Sequence, residues 1–180
     1  MKTCLSILAM VALLAVAAET PKPATSAKLS LTTKPTGKKY SPKHVIAIWV
    51  TDSKGKFVKT LEVYGKKRRK YLKVWTANSK ENTVDAVTGA TLKKHQTHTV
   101  TWDCRDAKGK LVADGEYLIH VEFTEENKQG PRTPAKHIQF KKGETAVSLT
   151  PKDLSNFVKI KLDYTPPPKP EPPKKDDKKK

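Results

Sequence analysis

Seven consecutive residues, Asp85-Ala86-Val87-Thr88-Gly89-Ala90-Thr91, gather a carboxylate, two hydroxyls and two very small residues, with Lys93 and Lys94 close behind. Gly89 and Ala90 leave the Thr91 hydroxyl uncrowded. Gly89 also permits a tight turn, and successive backbone N–H groups in a turn can cradle a phosphate. The lysines add positive charge beside it. The run therefore suits the holding of a phosphate next to a free hydroxyl. It equally suits a plain loop, in which Asp85 and Thr88 bond to local backbone and Gly89 supplies the turn.

Other chemistry-bearing residues do not assemble. His95 and His98, three apart on a strand, point to opposite faces, and His44, His120 and His137 are scattered, so no metal site is expected. Glu116 and Glu122 share strand parity, with Glu125 and Glu126 just beyond. Nothing pairs them into an acid/base couple, so they read as a solvated strand face. Cys104 reads as a small packed residue. The sequence has no Gly-x-Ser-x-Gly elbow, no Cys-x-x-Cys-His haem site and no glycine-rich phosphate loop. No stand-alone enzyme is expected.

The elements that must position these residues are strands. Alternating apolar and polar residues predict strands at Lys28–Thr33, His44–Thr51, Lys56–Tyr64, Thr97–Asp103, Glu116–Glu125, Lys136–Lys141, Thr145–Leu149 and Phe157–Tyr164. Asp52-Ser53-Lys54-Gly55 and Asp106-Ala107-Lys108-Gly109 read as hairpin turns. Between Lys66 and Asn78, Tyr71, Leu72 and Trp75 recur at helical spacing and predict one short helix against the sheets. Trp49, Trp75 and Trp102 are expected in the core. The fold class is all-β, an immunoglobulin-like or fibronectin-like sandwich over residues 28–164. A linker at 19–27 precedes it, and a Pro/Lys-rich tail at 165–180 that cannot pack a core follows.

The N-terminus fixes the compartment. Lys2 precedes the apolar run Leu5–Leu14, and Ala15, Ala17 and Ala18 follow, the pattern of a signal peptide over residues 1–18. The run is too short for a spanning helix, so no transmembrane segment is expected. Cleavage after Ala17 or Ala18 satisfies the small-x-small rule, Ala18 being preferred, and leaves Cys104 without a partner for an intramolecular disulfide. A net charge of +18 would suggest nucleic acid inside a cell. Export removes that partner, and the lysines are dispersed. They suit solubility and contact of the basic tail with anionic envelope polymers.

Two resemblances follow from quoted residues. Trp102-Asp103-Cys104-Arg105-Asp106, then Gly109, then Asp114-Gly115-Glu116-Tyr117, resembles the Trp-Asp-Gly-x-Asp hairpin of immunoglobulin-like domains such as that of the flagellar hook-capping protein. Cys104 stands where that pattern has glycine, which predicts a positive φ there. The wider span from Tyr40 to Glu122 is similar to a family of predicted periplasmic proteins of unknown function. It shares the order Ile48-Trp49-Val50-Thr51-Asp52, Phe57-Val58-Lys59-Thr60-Leu61, a Tyr-Leu…Trp segment, the 85–91 run and the Trp-Asp hairpin.

The 85–91 run itself resembles the Asp-x-x-Ser/Thr-Gly-Ala-Thr motif of FMN-binding subunits of sodium-translocating NADH:quinone reductase and Rnf complexes. The resemblance implies that a flavin transferase attaches FMN covalently, by a phosphoester, to Thr91. Asp85, Thr88, Gly89 and Ala90 would form the recognition segment. The implied function is a periplasmic electron carrier exchanging electrons with membrane-bound or extracellular redox proteins. The alternative is a cofactor-free immunoglobulin-like binding or structural module of the envelope.

Overall fold

The layering of the molecule is set by one strand whose sequence is apolar on both faces. β2 (Val45–Asp52) reads Val-Ile-Ala-Ile-Trp-Val-Thr-Asp, and its first seven residues are buried. In the computed structural model, which describes residues 25–133 and 137–169, Ile46, Ile48 and Val50 point into one core and Val45, Ala47 and Trp49 into another. A strand buried on both sides loses the alternation that marks a half-exposed one. The leader at 1–18, most of the linker and the tail from Pro170 lie outside the described residues.

The remaining strands are β1 (Ser26–Thr33), β3 (Phe57–Tyr64), β4 (Val87–Gly89), β5 (Thr97–Trp102), β6 (Gly115–Thr124), β7 (Gln139–Lys142), β8 (Val147–Leu149) and β9 (Phe157–Thr165). They form a four-stranded sheet, β5-β1-β9-β8, and a five-stranded sheet, β4-β3-β2-β6-β7. Side chains from both sheets meet in the larger core, including Leu29 and Leu31 of β1, Val121 and Phe123 of β6, and Ile160 and Leu162 of β9. The expected two-sheet, all-β architecture is present. β5 sits at an edge and keeps strict alternation, with His98, Val100 and Trp102 inward.

The helix expected over 66–78 is two pieces, a 3₁₀ helix at Lys67–Tyr71 and α1 (Lys73–Ser79). The break falls at Leu72, whose ψ of 75° is not helical. It lets Leu72 and Trp75 both reach the second face of the five-stranded sheet, while Tyr71 stays half-exposed with Lys70 and Lys73 over its ring. All three tryptophans are core residues, at most 1% exposed. Among the described residues no helix is long and apolar enough to cross a membrane.

Two hairpin turns follow one plan. Asp52 Oδ1 accepts the N–H groups of Lys54 and Lys56, each at 2.9 Å, and Asp106 Oδ1 accepts those of Lys108 and Lys110 at 2.8 and 2.9 Å. Gly55 and Gly109 take φ of 78° and 76°, a region cheap only for glycine. Cys104 has φ 56° as expected, with its thiol buried. Tyr117 donates its hydroxyl to Ala113 O at 2.8 Å, closing the second turn of that hairpin.

Candidate functional site

The 85–91 segment leaves a turn in which Ala86 N–H donates to Thr83 O at 3.1 Å, and Asp85 takes φ 56°. Aspartate tolerates the left-handed region better than most residues. Val87, Thr88 and Gly89 then pair in parallel with Glu62, Val63 and Tyr64, and Gly65 N–H donates to Gly89 O at 2.9 Å. The strand β4 is a finding the sequence did not indicate. It also corrects the role of Gly89, which is not the positive-φ residue. Gly89 is required because a Cβ there would overlap the Tyr64 ring.

Beyond β4, Leu92 and His44 exchange backbone bonds, Leu92 N–H to His44 O at 2.9 Å and His44 N–H to Leu92 O at 3.1 Å. Ala90 and Thr91 thus span two backbone anchors, Ala90 exposed and Thr91 half-buried. Thr88 is exposed on the edge strand. The five site residues form one ribbon along the edge of the five-stranded sheet.

A residue overlooked in the sequence ties this ribbon to the rest of the molecule. Lys59 of β3 is 7% exposed, and its Nζ lies 3.7 Å from Asp85 Oδ2 and 3.6 Å from Asp103 Oδ1. The two sequence features singled out above, the 85–91 run and the Trp-Asp hairpin, meet on this one ammonium. A buried charge is tolerated when paired, and removing both partners would strand it. The signal was present: Lys59 shares strand parity with Leu61, so a core-facing Leu61 implied a core-facing cation that needed partners.

Below the pair opens a cleft of about 590 Å³ between the β3–β4 edge and β5. Apolar Leu61, Val87 and Val100 line it together with charged Lys59, Glu62, Asp85 and Asp103. Its volume is in the range of small-molecule sites. Asp85 reaches this cleft, whereas Thr88, Gly89, Ala90 and Thr91 do not line it. Glu62 on its wall bonds His98 Nδ1 at 2.6 Å, and His98 Nε2 is buried with no partner among the described residues.

Beside the Leu92 anchor lies a buried polar cluster. His44 and His95 stack with ring centroids 4.0 Å apart, both edge-on to Phe123. Burial pushes the His44 imidazole down to about 4 and lowers His95, so both are neutral near pH 7. His95 Nε2 meets Glu125 at 2.7 Å. Glu125 also accepts from the Thr36 N–H and hydroxyl, the Lys38 N–H and the Ser41 hydroxyl. Burial works to raise its carboxyl, but these donors outweigh it and hold the group at about 2.

Three expectations are corrected here. His95 precedes β5 instead of lying on a strand, and it joins His44 from a distant part of the chain. Glu125 is buried because it anchors the loop at 36–41. Glu122 is fully buried too, accepting the N–H groups of Val74 and Trp75 at 3.3 and 2.9 Å where α1 begins, so neither is a solvated strand face. Glu116 and Glu126 are half-buried. Among the described residues no group of three or more His, Cys, Asp or Glu side chains is placed to hold a metal ion.

A family model described as "Predicted periplasmic protein (DUF2271)" matches residues 26–153. No curated protein and no solved structure matches the chain.

Proposed function

The chain belongs to this family of predicted periplasmic proteins, and from that premise we propose that it is a periplasmic electron-transfer protein carrying FMN in phosphoester linkage on Thr91. The observation that carries the reading is the presentation of the 85–91 ribbon. It lies on an exposed sheet edge, yet Gly65 and His44 pin its backbone at either end of Ala90-Thr91 and Lys59 grips Asp85. A modifying enzyme needs an accessible segment, and an electron carrier needs a cofactor held at a fixed place.

The residues fit the group. The flavin supplies the redox chemistry when bound. In attachment, the Thr91 hydroxyl oxygen would lose its proton and bond to the FMN-side phosphorus of FAD bound to a separate flavin transferase, the pyrophosphate bond breaking and AMP leaving with the proton. Lys93 and Lys94, both exposed, add positive charge near the resulting diester. Gly89 keeps the ribbon flat against Tyr64. The cleft lined by Leu61, Val87 and Val100 offers apolar surface along the same edge. The protein is a substrate of the transferase and a carrier, with membrane-bound or extracellular redox proteins as its exchange partners.

A second reading, a cofactor-free immunoglobulin-like binding or structural module, is favoured by Val84 and Val87, which are 50% and 55% exposed on the same edge. One measurement separates the two. The mature protein, exported from cells that also express a flavin transferase, is weighed intact beside Thr91→Ala. A gain of one FMN less water in the wild type alone, with yellow colour, supports the carrier. An unmodified mass in both abandons it for the module.

A further inference from the structure

We infer that the basic hollow walled by Tyr40 and Tyr71 is a binding site for a phosphate-bearing anion, supplied either as a free phosphate ester or as a lipid phosphate headgroup. The inference is independent of whether Thr91 carries a flavin. The hollow measures about 290 Å³ and is lined by Tyr40, Lys67, Arg68, Lys70, Tyr71 and Asn127, with no carboxylate among them.

The cations gather over two aromatic rings. The Arg68 guanidinium lies 4.1 Å from the Tyr40 ring centroid with Lys39 Nζ at 5.6 Å, and Lys70 and Lys73 lie 5.3 and 5.8 Å from the Tyr71 centroid. Cation–π attraction, about 0.5–1 kcal/mol at an exposed site, biases these long side chains toward the rings. Tyr40 is itself fixed: its N–H donates to Glu125 O at 2.9 Å, and Asn127 Nδ2 donates to its hydroxyl at 3.4 Å.

The second observation points to a missing acceptor. Arg68 Nε and Nη2 are shut from solvent and, among the described residues, donate to nothing. Together they form the side edge of the guanidinium, the edge that grips phosphate or carboxylate with two parallel bonds. A buried donor without an acceptor is costly, and proteins normally supply one. Two carboxylates of this region are engaged elsewhere: Glu81 takes Arg69 at 3.3 Å, and Glu125 is occupied by His95 and the loop at 36–41. Four cations over two rings and Lys67 beside them, none with a carboxylate within salt-bridge reach among the described residues, favour an anion of more than one charge, so a phosphate is preferred to a carboxylate. The unpaired edge is buried beside the hollow, so the proposal requires that a bound anion draw the guanidinium along the Tyr40 ring, a shift that the Arg68 Nε–H resonance would report.

The test is an NMR titration of the mature protein with sodium pyrophosphate at constant ionic strength. Saturable shifts confined to Tyr40, residues 67–71 and Asn127, with a displaced Arg68 Nε–H resonance, are expected. Arg68→Gln should weaken binding about tenfold, the worth of one charge-assisted bond. Lys70→Gln, an exposed change with little bearing on folding, should weaken it several-fold, and Lys152→Gln should leave it unchanged. Shifts spread without saturation over lysines all round the molecule, or equal affinity in all three variants, would overturn the site. Sedimentation with phosphatidic acid vesicles but not phosphatidylcholine vesicles, lost in Lys70→Gln, assigns the phosphate to a headgroup. Pyrophosphate binding without sedimentation assigns it to a soluble ester.

Discussion

The turn at Asp106–Lys110 and the ribbon at Asp85–Thr91 are both short, polar and exposed, yet they are held in opposite ways. The turn is held by its own atoms: one aspartate oxygen, two backbone N–H groups and a glycine at φ 76°. Asp52–Lys56 repeats it almost bond for bond. The ribbon is held by residues far off in the chain, namely Tyr64 and Gly65, His44, and Lys59. A self-contained turn can be moved between proteins. A remotely held ribbon can be placed with an accuracy that its own sequence does not encode, which is what a modification site requires.

The comparison can be broken most forcefully at Gly89. Gly89→Val drives a side chain into the Tyr64 ring, and overpacking of this kind costs about 2–3 kcal/mol. Urea denaturation should show the loss, and the proposed transferase-dependent modification of Thr91 should fall with it. An equally stable Gly89→Val would show that β4 can leave β3 at no cost, and the ribbon would not be remotely held.

Acid should loosen the ribbon next. Folding depresses His44 from 6.5 to about 4, so the unfolded chain binds more protons between those values and stability falls as the pH drops through this window. From pH 7 to pH 5 that one group removes about 2 kcal/mol by linkage. His95 is shifted in the same direction and adds to the fall. Glu125, held at about 2, keeps its contribution until the pH drops below the ordinary carboxylate range. Backbone amide exchange measured across pH 7 to 5 and corrected for intrinsic rate should accelerate at Leu92 and not at Lys108 or Lys110. Equal acceleration would erase the distinction.

Asp106→Ala and Asp52→Ala should have smaller and nearly equal effects, each freeing two N–H groups to water at its own hairpin. Denaturation midpoints of the two variants should agree within error, and the proposed modification of Thr91 should be unaffected. The smallest change is expected at Cys104→Gly. Relief of a non-glycine residue at φ 56° offsets the loss of a buried thiol, for a net effect below about 1 kcal/mol. A loss above about 2 kcal/mol would mean that packing of the thiol outweighs the backbone strain.

The same contrast explains what was legible in the sequence. The hairpins, the strands other than β4 and the tryptophan core follow from alternation, from the apolar β-branched run of β2 and from turn residues, signals carried by neighbours. β4 has three residues and a parallel partner more than twenty positions earlier, so no local pattern announces it. The stacking of His44 on His95 depends on the bridge between His44 and Leu92, and two imidazoles fifty residues apart carry no spacing rule. Glu122 reads as a polar strand residue until α1 presents its first N–H groups to it. The break at Leu72 likewise follows from the face it must cover. In the candidate site, the sequence singles out the 85–91 run, and the distant residues that hold it in place carry no local signal of that role.

β4 also bears on how the protein survives its compartment. A sheet edge is a template on which another chain can add a strand, and a chain that must reach its final form after export is exposed to that hazard. The five-stranded sheet ends on one side in the three residues of β4 and on the other in the four of β7, while β8 at one edge of its companion has three. Edges this short offer few ladder bonds to an intruding strand. The ribbon that presents Thr91 therefore doubles as a guard against aggregation.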